Sequence, residues 1–170
     1  MYGFAYDWFD DTTYNPKYPI TPSGSAGLQY MFFWNSKVTD TKVPITAFGG
    51  CSMAFANASK LKRIPKLIFS GTTSVASMFL NTPALEELNC EGELTVDGLD
   101  LRYSTKLNKA SIVSVINTLS DATEDLTVTL HYNAIAEGFE SSEGAYDGDT
   151  SAEWLTLIRT RPNWNISLWY

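Results

Sequence analysis

Hydrophobic and polar positions recur with a fixed period in the middle of the chain. The residues MAFAN at 53–57 reappear 24 positions later as SMFLN at 77–81, and Leu61 has its counterpart in Leu85 at the same distance. A period of this length indicates a repeat architecture, because each unit buries its apolar side only against its neighbours.

The two clear copies predict the same pair of elements. A short helical turn, at residues 53–58 and 75–81, leads into a strand at residues 64–69 and 85–90. Within these strands the apolar residues alternate, which points them toward one buried face.

A weaker copy precedes the two clear ones. It starts at Met31, places Asn35 22 positions before Asn57, and uses residues 43–45 as its strand. The strand-like spacing also returns after the clear copies, at residues 96–101. We therefore expect the two clear copies to be the regular centre of a short solenoid.

The C-terminal part predicts longer helices between strands. Residues 109–119 form an amphipathic helix with Asn108 as its cap, and residues 126–130 alternate as a strand. Thr150 begins a capping box for a helix that ends at Arg161, and residues 164–168 return as a strand. The expected fold is an α/β repeat, a short solenoid of parallel strands with a helical C-terminal cap.

The first 27 residues differ in composition from residues 28–170, which we expect to form the repeat domain. They are rich in aromatic side chains and end in a Gly- and Ser-rich joint. One interpretation is an assembly arm that docks on a partner or a sister chain, and the other is a cap over the first repeat. The residues assigned to assembly are Tyr2, Phe4, Tyr6, Trp8 and Phe9.

Charge and composition narrow the classes of function. The chain is 44% hydrophobic and carries a net charge of −7, which disfavours nucleic-acid binding. No apolar run is long enough for membrane insertion, and residues 1–7 lack the features of a signal peptide. Cys51 and Cys90 are expected to be buried thiols rather than a disulfide.

The repeated pattern Met-Phe-x-Asn-x-x-x-Leu-x-x-Leu resembles the BspA-like leucine-rich repeats of bacterial surface proteins and of phage and prophage virion proteins. Residues 99–119 and 161–168 are similar to the closing repeats of the phage-borne domains. The similarity covers roughly residues 45–168. The resemblance implies a leucine-rich-repeat solenoid without enzymatic activity that binds host or neighbouring protein.

Residues suited to catalysis or metal binding are sparse. His131 is the only histidine, and no nucleophile motif accompanies it. The acidic stretch 137–150 lacks the ligand order of an EF-hand, so a solvated loop is the favoured interpretation over a Ca²⁺ site. We expect no cofactor, no metal and no enzymatic activity.

The function expected from the sequence is that of a phage virion or tail component that attaches to a host-surface receptor, a glycan or another protein. The alternatives are a module of a bacterial cell-surface or extracellular adhesin and, more distantly, a glycan hydrolase. The expected location is the virion, with the bacterial surface as the alternative. Outward strand residues would contact the ligand: Lys66, Glu87, Asn89, Asp100, Arg102, Thr127 and Thr129.

Overall fold

The computed structural model describes residues 9–25, 27–121, 125–139 and 152–170. These residues form a mixed α/β fold with two small sheets of parallel strands and three helices, and the sheet orders are β1-β2-β3 and β4-β5-β6. The elements are β1 (Ile45–Gly50), β2 (Arg63–Ser74), β3 (Glu87–Gly92), β4 (Leu99–Asp100), α1 (Lys109–Thr118), β5 (Leu126–His131), α2 (Tyr132–Gly138), α3 (Ala152–Arg159) and β6 (Trp164–Trp169). The parallel strands expected from the sequence are thus confirmed.

The first sheet follows the repeated part of the chain. Ile45 pairs with Leu67, and Leu67 pairs with Cys90. All three side chains are buried, so the alternating apolar residues of the strands line one inner face. The strand predicted at residues 64–69 lies within β2, and the one predicted at 85–90 overlaps β3.

The helical turns predicted at residues 53–58 and 75–81 are wrong, because both stretches are turns rather than helices. In the first, Met53 and Asn57 adopt left-handed φ angles of 56° and 61°. The residues 24 positions later repeat this pair with φ angles of 53° and 55°. Two left-handed residues four positions apart cannot belong to one right-handed helix.

Backbone hydrogen bonds and stacked rings join these turns. Phe32 donates its N–H to the carbonyl oxygen of Ala54 at 2.6 Å, and Phe55 donates to Met78 at 2.9 Å. The rings of Phe32, Phe55 and Phe79 stack with centroids 5.4 and 5.3 Å apart and interplanar angles of 11° and 7°. The buried phenylalanine column therefore carries the sequence period into the core.

The weaker first copy is present, but its predicted register is off by one residue. Trp34, with φ of 57°, occupies the left-handed position that Asn57 holds in the next copy. Asn35 is instead buried, and its side chain accepts the N–H groups of Lys37 at 3.0 Å and Val38 at 2.8 Å. The prediction aligned the two copies by their asparagine residues, but the matching position is defined by its left-handed backbone conformation and not by residue type.

Glycines with positive φ recur at intervals of 21–22 residues along the repeated part of the chain, at Gly27, Gly49, Gly71 and Gly92, which we call the glycine column. A Cβ at Gly27 would lie 1.9 Å from the carbonyl oxygen of Phe48, and a Cβ at Gly92 would lie 2.1 Å from that of Phe69. At these two positions the backbones of neighbouring units approach too closely for any side chain. At Gly71 the Cβ would meet only the ring of Phe48, at 3.1 Å.

Helix α1 closes the free edge of the first sheet. Asn108 caps the helix by accepting the N–H of Ser111, as the sequence predicts. The hydroxyl oxygens of Ser111 and Ser114 accept the N–H groups of Leu88 at 2.8 Å and Cys90 at 3.1 Å. These two residues, the edge serines, take the place of a fourth strand beside β3.

The second sheet lies in the C-terminal part of the chain. Leu99 pairs with Val128, which in turn pairs with Ile166. Strands β5 and β6 match the predicted segments, and helix α2 between them was not predicted. Helix α3 falls inside the predicted helix, whereas Thr150 of the expected capping box lies outside the described residues.

The described N-terminal residues 9–25 pack on the first unit. Ile20 forms a parallel bridge with Ile45, which extends the first sheet by one position. Tyr14 is buried, and its ring meets Phe32 edge-on at a centroid distance of 5.4 Å. This segment therefore covers the outer edge of β1, where the phenylalanine column begins.

Two carboxyl groups help to hold this segment. The hydroxyl and backbone N–H groups of Thr12 lower the pKa of Asp10 to about 2. Burial acts to raise the pKa of Asp11, but hydrogen bonds from the side chain and backbone of Thr39 outweigh it and lower the pKa. Both residues are therefore ionised acceptors at neutral pH.

Candidate binding surface

The predicted ligand residues of the first sheet are engaged with neighbouring side chains. Lys66 pairs with Glu91 at 2.7 Å. Glu87 accepts Arg63 Nε at 3.1 Å and Asn89 Nδ2 at 2.9 Å. The two ion pairs join β2 to β3, and the Asn89 bond runs along β3, so the polar side chains of this face bind one another.

The other four predicted residues meet on the outer face of the second sheet. Asp100 pairs with Thr129 of β5, which pairs with Ser167 of β6. Thr127 pairs with Asn165 one step earlier along the strands. Since paired residues in parallel strands project to the same side, these five polar residues form two adjacent rows.

A third row contains a charge and an aromatic ring. His131 pairs with Trp169 at the carboxyl ends of β5 and β6. Arg102 follows Asp100 by two residues, and its guanidinium carbon lies 4.7 Å from the centroid of the Trp169 ring. Arg102 Nε also donates to Asp100 Oδ2 at 2.7 Å, so the indole, the guanidinium and the carboxylate form a connected group.

The polar rows differ from the first sheet in how they are satisfied. Within the described part of the chain, the hydroxyls of Thr127, Thr129 and Ser167 and the amide of Asn165 make no hydrogen bond to protein. Trp169 remains 48% exposed despite its contact with Arg102. We call the three rows together the β4–β6 face: Thr127, Asn165, Asp100, Thr129, Ser167, Arg102, His131 and Trp169.

Two further exposed aromatic residues follow the third row in sequence. Tyr103 is 41% exposed directly after Arg102, and Tyr170 is 77% exposed directly after Trp169. The ring of Tyr170 stacks on Tyr132, the first residue of α2, with a centroid distance of 4.8 Å.

Sequence reasoning missed the contribution of β6 to this face. The strand itself was predicted, but its outward residues Asn165, Ser167 and Trp169 were not assigned to a site. The available signal was their alternation with the inward residues of the same strand. His131 was assigned to no site, and the structure places it in the third row of the β4–β6 face.

Of the residues predicted for assembly, Tyr2, Phe4, Tyr6 and Trp8 lie outside the described residues. Phe9 is half-buried, and its ring centroid lies 6.3 Å from that of Tyr14. A cavity of about 430 Å³ lies beside Tyr14, lined mainly by apolar side chains that include Ile20, Leu28 and Met31.

Groups suited to nucleophilic or metal chemistry do not converge in the described ranges. Cys51 and Cys90 are free buried thiols, as predicted, and burial raises the pKa of both. Among residues 9–25, 27–121, 125–139 and 152–170, no three His, Cys, Asp or Glu side chains cluster as a metal site would require. Most of the acidic stretch 137–150 falls outside these ranges.

His131 has a local structural contact besides its place on the face. Its Nδ1 accepts the N–H of Asn133 at 3.0 Å and caps α2. The neutral ring therefore carries its proton on Nε2, which is a donor.

None of the helices in the described part of the chain is long and apolar enough to cross a membrane.

Comparison of the chain with protein families, curated proteins and solved structures found no match. The geometry by itself defines the chain as a mixed α/β protein with parallel strands. The outer face of its second sheet is polar and carries an exposed tryptophan.

Proposed function

We propose that this chain is a non-enzymatic binding protein that presents the β4–β6 face to a partner on a short leucine-rich-repeat solenoid. The observation that carries the proposal is the contrast between the two sheets. Polar residues on the first sheet bind one another, whereas hydroxyl and amide groups on the second are left open beside a half-exposed tryptophan. An open set of polar groups beside an exposed aromatic ring suits recognition.

The solenoid part of the proposal is supported by the stacked turns and the glycine column. Phe32, Phe55 and Phe79 follow one another at spacings of 23 and 24 residues in a continuous stack. The N-terminal segment covers one end, and the edge serines cover the free edge of β3. In this proposal the C-terminal helices and second sheet form the closing cap, and the resemblance to BspA-like repeats supports it.

The proposed setting is a phage virion or tail, where the chain attaches to a host surface or to a neighbouring virion protein. The aromatic segment of residues 1–9 would join the domain to the particle or to sister chains. A bacterial surface adhesin with the same domain is the alternative setting. In neither setting does the proposal include catalysis, a cofactor or nucleic acid.

Labelling electron microscopy tests this proposal. An antibody raised against the purified chain should decorate phage particles from an induced culture, or the cell envelope if the adhesin alternative holds. In the same cultures, purified chain with a fluorescent label should bind intact host cells or isolated envelopes. Labelling confined to the cytosol, together with no binding to particles or envelopes, would contradict the proposal.

A further inference from the structure

The charge balance of the β4–β6 face restricts the chemistry of its partner. Asp100 and Arg102 form a pair at 2.7 Å, so the central charged group of the face has no net charge. Both terminal nitrogens of Arg102 are without a hydrogen-bond partner in the described residues, and the side chains of the pair are 30% and 32% exposed. The pair therefore offers donors and acceptors side by side at low net charge.

An anionic ligand would fit this arrangement less well. It would approach the carboxylate of Asp100 together with the guanidinium, in a chain whose net charge is −7. His131 adds no cation partner of its own on Nδ1, because that nitrogen already accepts the Asn133 N–H at 3.0 Å. Recognition of phosphate or carboxylate groups ordinarily relies on unpaired arginine or lysine clusters.

A protein partner would also find little here to anchor it. Protein interfaces draw their energy from apolar and aromatic residues packed in a central, water-excluded patch. On this face the centre is the row Asp100, Thr129 and Ser167, and the Trp169 ring lies beside it in the third row. A polar centre with an exposed ring at one side matches a ligand that is itself covered with hydroxyl groups and has a few apolar faces.

We infer that the β4–β6 face binds a neutral saccharide, an assignment that rests on the proposed binding function and names its ligand class. The exposed surface of the Trp169 indole packs against the C–H groups of a sugar ring. Neighbouring hydroxyls of the sugar donate to the remaining lone pairs of the Asp100 carboxylate, whose Oδ1 and Oδ2 already accept the backbone N–H and the Nε of Arg102. Other sugar hydroxyls accept from the terminal nitrogens of Arg102. Hydroxyls of Thr129 and Ser167 continue the contacts along the sheet, where adjacent strands lie about 4.8 Å apart.

Saturation-transfer difference NMR and titration of tryptophan fluorescence test this inference directly. The probes are neutral tetrasaccharides of glucose, N-acetylglucosamine, mannose and galactose, with sialyllactose and inorganic phosphate as anionic probes. We expect saturable binding of at least one neutral probe. Trp169→Ala and the isosteric Asp100→Asn should each weaken it by about tenfold or more, since each removes one of the two anchoring groups.

A matched tryptophan provides the control. Trp34 is 51% exposed and lies in the first repeat, outside the β4–β6 face, so Trp34→Ala should leave binding unchanged. Because Asp100→Asn preserves side-chain shape, it keeps the test decisive should Trp169→Ala fold poorly. Binding by anionic probes alone, no neutral binding, or equal loss in Trp34→Ala and Trp169→Ala would overturn the inference.

The outcome is separable from that of the proposed function. If the labelled chain binds particles or envelopes but the neutral saccharides neither bind nor compete, the saccharide inference fails and the binding function stands. If the chain binds no particle or envelope, the proposed setting fails, and the NMR titration on the isolated chain still decides whether the face takes saccharides.

Discussion

Replacing Gly92 by alanine should destabilise the protein far more than the same change at Gly98. The two glycines have nearly equal φ angles, 81° and 83°. An alanine in this left-handed region costs about 1–2 kcal/mol at either site. At Gly98 nothing lies within 4 Å of the new Cβ, so that conformational cost is the whole expected effect.

At Gly92 the new Cβ would lie 2.1 Å from the backbone carbonyl oxygen of Phe69. The two strands must separate locally, which costs about 1–3 kcal/mol as an overpacking effect. The separation also removes the bond from the Glu93 N–H to the same oxygen, now 3.3 Å long, for about 0.5–1.5 kcal/mol. The expected total of the three contributions is about 2.5–6.5 kcal/mol, against about 5–15 kcal/mol for the free energy of unfolding of an ordinary domain.

Urea unfolding followed by far-ultraviolet circular dichroism measures both variants under the same conditions. The free energy of unfolding should fall by about 1.5–4.5 kcal/mol more in Gly92→Ala than in Gly98→Ala. Equal losses in the two variants would refute the close backbone approach between β2 and β3 and, with it, the glycine column as a device for stacking the units.

Three further predictions concern hydrogen bonds in the described residues. Thr41→Val should raise the thermal midpoint, because Oγ1 of Thr41 is buried without a partner, whereas Thr72→Val should lower it by removing a 2.7 Å bond to a backbone carbonyl. Changing both edge serines to alanine should cost about 2–4 kcal/mol in urea unfolding by leaving two N–H groups of β3 unpaired, although alanine favours helix α1. An NMR titration should place the pKa of Asp10 at about 2, below the ordinary 3.8, mainly because of the bond from Thr12. The contribution of Asp10 to stability is then complete above pH 3.8 and is lost as the pH falls through about 2. A titration midpoint of Asp10 near 3.8 would contradict its hydrogen bond from Thr12. Equal changes of the thermal midpoint in Thr41→Val and Thr72→Val, or a serine variant more stable than the parent, would contradict the contacts of those residues.

The elements with a strong internal pattern were predictable from the sequence. Helix α1 has both an apolar stripe and the Asn108 cap, and β5 alternates over its whole length, so local signals and the fold agree there. The stacked turns were not predictable in the same way. A run such as residues 53–58 has helical composition, and its left-handed residues are fixed by hydrogen bonds to the neighbouring unit, which no local signal reports.

The role of the glycine column could not be predicted from local sequence either. In the sequence alone, Gly49 and Gly71 indicate no more than turns, because a single glycine indicates a turn as readily as a close approach. The distinction depends on the atoms of the next unit, such as the carbonyl oxygen of Phe69 opposite Gly92. Spacings of 22, 22 and 21 residues from Gly27 to Gly92 carried this information, but they differ from the 24-residue period of the clear copies.

The alternation of side chains along β6 decides which residues lie on the β4–β6 face, and it explains why Trp169 was not assigned to a site. Trp164 and Trp169 lie five positions apart in one strand, so they must point to opposite faces of the sheet. Trp164 is 6% exposed and donates its indole N–H to the Ser120 carbonyl at 2.9 Å, which fixes it as the inward member. Trp169 is then necessarily outward, in the row of Arg102, and a sequence position that looks like core becomes the exposed ring of the proposed saccharide site. Any change that shifts β6 by one residue against β5 would exchange the two tryptophans, so the site and the core of the second sheet are specified by the same register.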